Sequence, residues 1–158
     1  MIVYHGSSIK VQLPDIYHSR GNVDFGKGFY ITPFIDQAER WSMRFKQRMG
    51  QGIVSVYKFD LESSRNDFRV LEFEGYTEEW LDFITSCRSS ADKSVYDLVI
   101  GGVANDKVFN TIELYLNELI EKREAIKRLQ YMKPNLQMCI RNQAMIQKYL
   151  KYVESKEI

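Results

Sequence analysis

Two short strings near the start of the chain hold the residue types best suited to chemistry. Tyr4-His5-Gly6-Ser7 ends an apolar run with an imidazole, a glycine and a hydroxyl, and Phe25-Gly26-Lys27-Gly28-Phe29-Tyr30 carries a glycine turn into an aromatic strand. An imidazole can hydrogen-bond a ligand hydroxyl, a glycine admits a flat ring where a Cβ would obstruct it, and a tyrosine offers its face for offset stacking. Each has a plainer reading. His5 alone fits a satisfied histidine at a strand end, and the Gly-x-Gly string fits a hairpin with a core tyrosine. As a phosphate loop that string is weak, because neither GK[ST] nor the longer dinucleotide fingerprint follows it. Lys27 either contacts a phosphate or is solvated. Cys87 and Cys139 have no neighbouring histidine, so metal and thiol chemistry are not expected.

These residues must be positioned by a modest chain. Its 158 residues suit one domain, 1–158, with a single core. A composition 44% hydrophobic and 27% charged is that of a globular protein rather than a disordered one. The formal charge of +1 gives no global attraction to nucleic acid or membrane, so a polyanionic partner must meet a local patch. Arg20, Lys27, Arg40, Arg44, Lys46 and Arg48 could form one, gripping a pyrophosphate or a nucleic acid, or could be the solvated face of a helix. Two cysteines are too few for a disulfide framework. With neither a signal peptide nor a long apolar segment, a cytoplasmic location without membrane association is expected, delivery into another cell by a route using no cleaved signal being the other possibility.

Periodicity predicts a short strand at Ile2–His5, then a polar loop through Pro14, His18, Arg20 and Gly21 that is not expected to enter the core. A strand at Phe29–Thr32 precedes a helix over Ile35–Met49 with an apolar stripe of Ala38, Trp41 and Phe45. Strands follow at Ile53–Phe59 and Val70–Phe73. Thr77 is the predicted N-cap of a helix burying Trp80, Phe83, Ile84 and Cys87. Tyr96–Ala104 contains a central strand interrupted by Gly101-Gly102, and Asn105 or Asp106 caps the next helix. Helical pattern over Val108–Met132 breaks near Asn117 and stops at Pro134. Leu136–Ile140 returns to strand, and a last helix spans Asn142–Glu154 with Met145, Tyr149, Leu150 and Val153 inward. The class is α+β, and no repeat or linker marks a domain boundary.

Together the two strings resemble the ADP-ribosyltransferase superfamily, in its diphtheria-toxin and poly-ADP-ribose-polymerase branch. Gly26-Lys27-Gly28-Phe29-Tyr30 is closely similar to the Gly-Lys-Gly-Ile-Tyr of the polymerases. Trp41 falls where that branch places a second aromatic on the following helix. The run from Tyr96 to Asp106 is similar to that of small bacterial ADP-ribosyltransferase-like domains, so the resemblance spans nearly the whole chain. It implies a split β-sheet core with flanking helices.

The resemblance also implies roles. His5 would hydrogen-bond a ribose hydroxyl of NAD, the backbone of Gly6 would pair with the nicotinamide carboxamide beside Ser7, and Tyr30 and Trp41 would sandwich the nicotinamide, with Gly28 and Lys27 at the turn. The family's late-strand glutamate is matched by Gln137, giving His5, Tyr30 and Gln137 as the triad. A glutamine can bond the ribose but lacks the charge that favours a sugar cation, and it could equally be an ordinary strand residue. Ala38 replaces the serine that often holds the carboxamide. Asn135 stands where arginine-modifying relatives carry a glutamate, which argues against an arginine acceptor. The implied activity is mono-ADP-ribosyl transfer to a protein or nucleic acid with release of nicotinamide, in a bacterial toxin, phage-defence protein or effector with a possible antitoxin partner. The alternatives are an impaired NAD-binding or protein-interaction module and an NAD glycohydrolase. Asp97 and Asp106 are weaker candidate acids, better explained at a strand end and a helix cap.

Overall fold

In a computed structural model, residues 1–132 and 135–158 are described. Among them seven strands form two sheets. One joins β1 (Ile2–Ser7), β3 (Ile53–Phe59) and β7 (Leu150–Glu157), with β3 central and both pairings antiparallel. The other runs in the order β2 (Phe29–Ile31), β6 (Leu136–Ile140), β5 (Leu98–Gly102), β4 (Val70–Glu72). There β4 is parallel to β5 and the other pairings are antiparallel. The helices are α1 (Ile35–Met49), α2 (Leu61–Asp67), α3 (Glu78–Arg88), α4 (Asp106–Leu116), α5 (Lys122–Leu129) and α6 (Gln143–Tyr149). The class is α+β.

Strand alternation decides where the core lies. Phe29, Ile31, Leu98, Ile100, Met138 and Ile140 leave one face of the second sheet to meet Val3, Tyr57, Phe59 and Leu150 from the first. Val99 and Cys139 leave the opposite face, which α3, α4 and α5 cover with Trp80, Leu81, Ile84, Val108, Ile112 and Leu129. α1 packs on β1 and β3, so β3 is covered on both sides and is buried at every residue except Lys58. Among the described residues a single bridge joins the sheets, Tyr4 N donating to Thr32 O at 2.8 Å and Thr32 N to Tyr4 O at 2.9 Å. The seven strands therefore approach one continuous ribbon that is parted between β1 and β2.

Several expectations need correction. The predicted helix over Asn142–Glu154 is the short α6 followed by β7. Asn142 does cap α6, its Oδ1 accepting from Ala144 N at 2.9 Å, but the chain turns extended at Leu150 and pairs with β3. Val153 is therefore exposed rather than inward. α2 has no counterpart among the predicted elements; Asp60 starts it by accepting from Ser63 N. Asn105, not Asp106, caps α4, accepting from Lys107 N and Val108 N. The inward face of α1 is Gln37, Ala38 and Ser42, with Trp41 half-buried and Phe45 36% exposed. Gln37 and the small residues Ala38 and Ser42 stand there instead of an aromatic stripe because α1 rests directly on glycine backbone, as described below. The polar loop before Phe25 buries no residue fully, as expected, although Val11 and Ile16 pack partly against the inter-sheet core. Pro134, expected to end a helix, lies outside the described residues.

Candidate functional site

His5 stands on β1 one residue beyond the Tyr4–Thr32 bridge, where the sheets part. Its Nδ1 is 2.7 Å from the carbonyl oxygen of Tyr30, and its ring stacks on Phe29 with centroids 4.5 Å apart. A carbonyl can only accept, so Nδ1 donates. Burial pushes the imidazole pKa below its ordinary value, the bond to Tyr30 offsetting only part of that shift. The neutral ring thus has its one proton on Nδ1 and an acceptor lone pair on Nε2.

This shift has a consequence for stability. Since the folded-state pKa lies below 6.5, the folded protein holds fewer protons than the unfolded one between those two values. The contribution is complete above 6.5 and is lost as pH falls through the folded value. Urea midpoints will therefore decline from about pH 7.5 to about pH 5, and the decline will be shallower in His5→Asn, which keeps a donor toward Tyr30 but cannot titrate. Equal slopes in the two proteins would exclude His5 as the source.

Tyr30 turns its ring to the other face of the second sheet, against the helix-covered core. Its hydroxyl donates to Gly26 O at 2.7 Å and accepts from Phe25 N at 3.0 Å, so it ties down the turn that delivers it. Burial raises its pKa well above the usual phenol value. Gly26 takes φ +73°, a conformation glycine adopts without strain. Gly28 is needed for a different reason: a Cβ there would sit 2.5 Å from both Cys139 Sγ and Ile140 O of β6.

Gln137 lies on β6, one residue beyond the Ile31–Met138 pair, on the same face as Cys139 and hence as Tyr30. It is buried, and its Nε2 donates to Asp24 Oδ2 at 2.9 Å and more weakly to Gly102 O at 3.4 Å. Asp24 also accepts from Arg88 Nη2 at 2.6 Å and Ala104 N at 3.1 Å. The guanidinium of Arg88 lies over the Phe109 ring, 4.7 Å from its centroid. Neither Asp24 nor Arg88 stands out in the sequence. The available signal is an acid immediately preceding the Phe25-Gly26 turn; nothing local ties it to a helix C-terminus distant in the chain.

The structure thus sets β1, β2 and β6 side by side, but their side chains part: the His5 imidazole lies on Phe29 at the inter-sheet core, Tyr30 and Gln137 lie on the helix-covered face, and His5 meets Tyr30 only at its main-chain carbonyl. The other expected contacts are dispersed. Gly6 is filled from α1: a Cβ on it would meet Ala38 O at 2.2 Å, so the absence of a side chain there serves helix packing. Trp41 is half-buried, its Cβ among the atoms nearest Gly6. Ser7 Oγ donates to Ile9 O at 2.6 Å. Lys27 is exposed, as are Arg20, Arg40, Arg44, Lys46 and Arg48. Asp97 brackets strand ends, accepting from Arg69 N and Asn142 Nδ2 at 2.9 and 2.8 Å, while Asp106 is exposed beside Arg44. Burial pushes both cysteine thiols up to about 12, which leaves them inert at neutral pH. Among the described residues no His/Cys/Asp/Glu group could hold a metal, and no helix is long and apolar enough to cross a membrane. Depressions of about 380 Å³ beside Thr85 and Tyr115 and about 350 Å³ beside Met1 and Arg65 are lined by none of the site residues.

The chain belongs to the family described as "Protein of unknown function (DUF3990)", whose model matches residues 1–152. No curated protein and no solved structure matches it.

Proposed function

We propose that this chain is an NAD-dependent mono-ADP-ribosyltransferase of the diphtheria-toxin and poly-ADP-ribose-polymerase type, its core the split sheet of that superfamily. What supports the reading is that the strands bearing His5, Tyr30 and Gln137 run side by side where the ribbon parts, with the imidazole bonded through Nδ1 to Tyr30 O so that Nε2 is an acceptor. That nitrogen can take a hydrogen bond from a ribose hydroxyl of NAD. Tyr30, held by its own turn, offers an aromatic surface for nicotinamide, and Gln137 Oε1 an acceptor for the ribose. The C1′–N bond breaks with its electron pair going to nicotinamide, and a lone pair of the acceptor group forms the new bond to C1′ from the opposite face. The acceptor's proton passes to solvent. Residues that hold the ribose as charge develops act on the transition state rather than on substrate binding alone. A toxin or phage-defence setting with a cognate antitoxin is part of this proposal.

A second reading is favoured by one observation: position 137 carries no charge and its amide donor is already committed to Asp24. This would suit a module that binds NAD without cleaving it.

One experiment separates the readings. Purified protein is incubated with labelled NAD and cell lysate, and label is followed into protein, nucleic acid and free ADP-ribose. Transfer to a macromolecule, with nicotinamide release lowered about 100-fold or more in His5→Ala and Tyr30→Ala, is the expected result. A thermal shift with NAD but no release would establish the binding module, free ADP-ribose alone a hydrolase. No shift and no release would sink both proposals.

A further inference from the structure

Gln137 occupies the place where an acid would be the simpler choice, and its surroundings explain the exchange. Both of its hydrogen bonds are donated by Nε2, to the Asp24 carboxylate and to the Gly102 carbonyl. Turning the amide over would aim Oε1 at two acceptors, so the orientation is fixed by the network. Asp24 is itself held: Oδ1 by Arg88, Oδ2 by Gln137 and Ala104 N, with the two charged side chains only 13% and 16% exposed. A glutamate at 137 would place a second carboxylate at hydrogen-bond distance from Asp24 in this enclosed setting, where like charges do not both stay ionised. With Asp24 in place, an acid at 137 is therefore disfavoured.

We propose that Asp24 is a positioning residue for ADP-ribosyl transfer: it pins the amide of Gln137 so that Oε1, which has no hydrogen-bond partner among the described residues, is presented to the ribose 2′-hydroxyl of NAD. The inference rests on the functional reading above. Because Arg88 compensates the charge of Asp24, the pair acts chiefly through orientation and through the polarised amide, a charge-assisted donor bond on nitrogen making the oxygen a better acceptor. Asp24 lies directly before Phe25 and Gly26, whose backbone bonds the Tyr30 hydroxyl, so one turn places both the ring that faces nicotinamide and the carboxylate that aims the amide.

The test measures nicotinamide release, NAD affinity and melting temperature on the full chain for the parent, D24N, Q137E and the double variant D24N/Q137E. With Asp24 in place, Q137E will lower kcat at least 10-fold with KM little changed. D24N alone will lower kcat about 10-fold, since the amide is free to turn. The double variant exchanges which side is acid and which is amide while keeping one carboxylate in the network. It will recover parental kcat and gain an acidic limb in its pH–rate profile from the new carboxylate. Q137E equal to or faster than the parent overturns the proposal, as does a double variant that melts like the parent but is no faster than Q137E. Should Q137E not fold, the double variant alone decides, by parental kcat or by its loss. A parent that releases no nicotinamide overturns the transferase reading itself, whereas a parent that turns over with the variant pattern reversed overturns only the role of Asp24.

Discussion

A Gly6→Ala protein will melt about 6–12 °C below the parent, a loss of about 3 kcal/mol. The new methyl would stand 2.2 Å from the carbonyl oxygen of Ala38, 2.9 Å from Ser42 N and 3.0 Å from Trp41 Cβ. Two of these are backbone atoms inside α1, which no rotamer change can move aside. Relief requires the helix to back away from β1 by about 1 Å, and a close-packed interior resists this. Gly52 bears on the same helix from the residue just before β3, a Cβ there falling 2.5 Å from Ser42 O, so α1 is clamped at two places and cannot tilt freely. Gly21 supplies the control, since a Cβ added there would meet nothing within 4 Å and no unusual φ accompanies it. Gly21→Ala should be neutral or slightly stabilising through the unfolded chain. If both variants melt together with the parent, α1 does not seat on Gly6 as described. The experiment also separates packing from ligand binding, because the loss is expected in the absence of NAD.

How much of this is legible in the sequence depends on whether the deciding force is local. α1 and β3 have the bounds that periodicity predicts, and Thr77 caps α3 with its hydroxyl accepting from Trp80 N, because periodicity and capping act within a few residues. β7 escapes such a reading for the opposite reason. Leu150 to Glu154 has charges and apolar residues spaced tolerably for a helix, and only the uncovered edge of β3, nearly a hundred residues earlier, draws it into a strand. Local propensity yields to pairing of that kind. α2 lies in a short polar stretch whose one signal, Asp60 before Leu61, is weak without an apolar stripe.

The proposed site shows the same division. His5, Tyr30 and Gln137 can be picked out by residue type and motif, since imidazole, aromatic ring and late-strand amide are visible as letters. Their supporting shell cannot. Asp24 meets Gln137 across the fold and Arg88 arrives from the C-terminal turn of α3. Gly6 illustrates a subtler limit: its need to be small is evident, but what approaches it is Ala38 of α1, and a string of residues does not reveal which neighbour fills the space. The glycine at 28 likewise reads as part of a tight turn, while the sharper constraint is the β6 backbone beside it.

Trp80→Ala will cost about 3–5 kcal/mol, a fall in melting temperature of roughly 10 °C or more. Its side chain is fully buried on α3, packed edge-on to Tyr76 with centroids 4.7 Å apart, and its Nε1 donates to Gly102 O at 3.2 Å. Truncation leaves a cavity between α3 and β5, and the β-sheet beneath is too well paired to collapse into it. Trp80→Phe divides the effect. It keeps most of the volume and surrenders one hydrogen bond to a carbonyl that Gln137 Nε2 still approaches, so about 1–2 kcal/mol is expected. Urea unfolding with an unchanged slope measures both. The shared carbonyl gives Trp80 a bearing on the site as well. On the proposed transferase reading, Gly102 O keeps Gln137 as its donor in Trp80→Phe and NAD affinity should hold, whereas in Trp80→Ala the end of β5 loosens beneath the Gln137–Asp24 pair and nicotinamide release should fall together with stability. A loss under about 1 kcal/mol for the alanine variant would mean that the helical layer is not integral to the folded core.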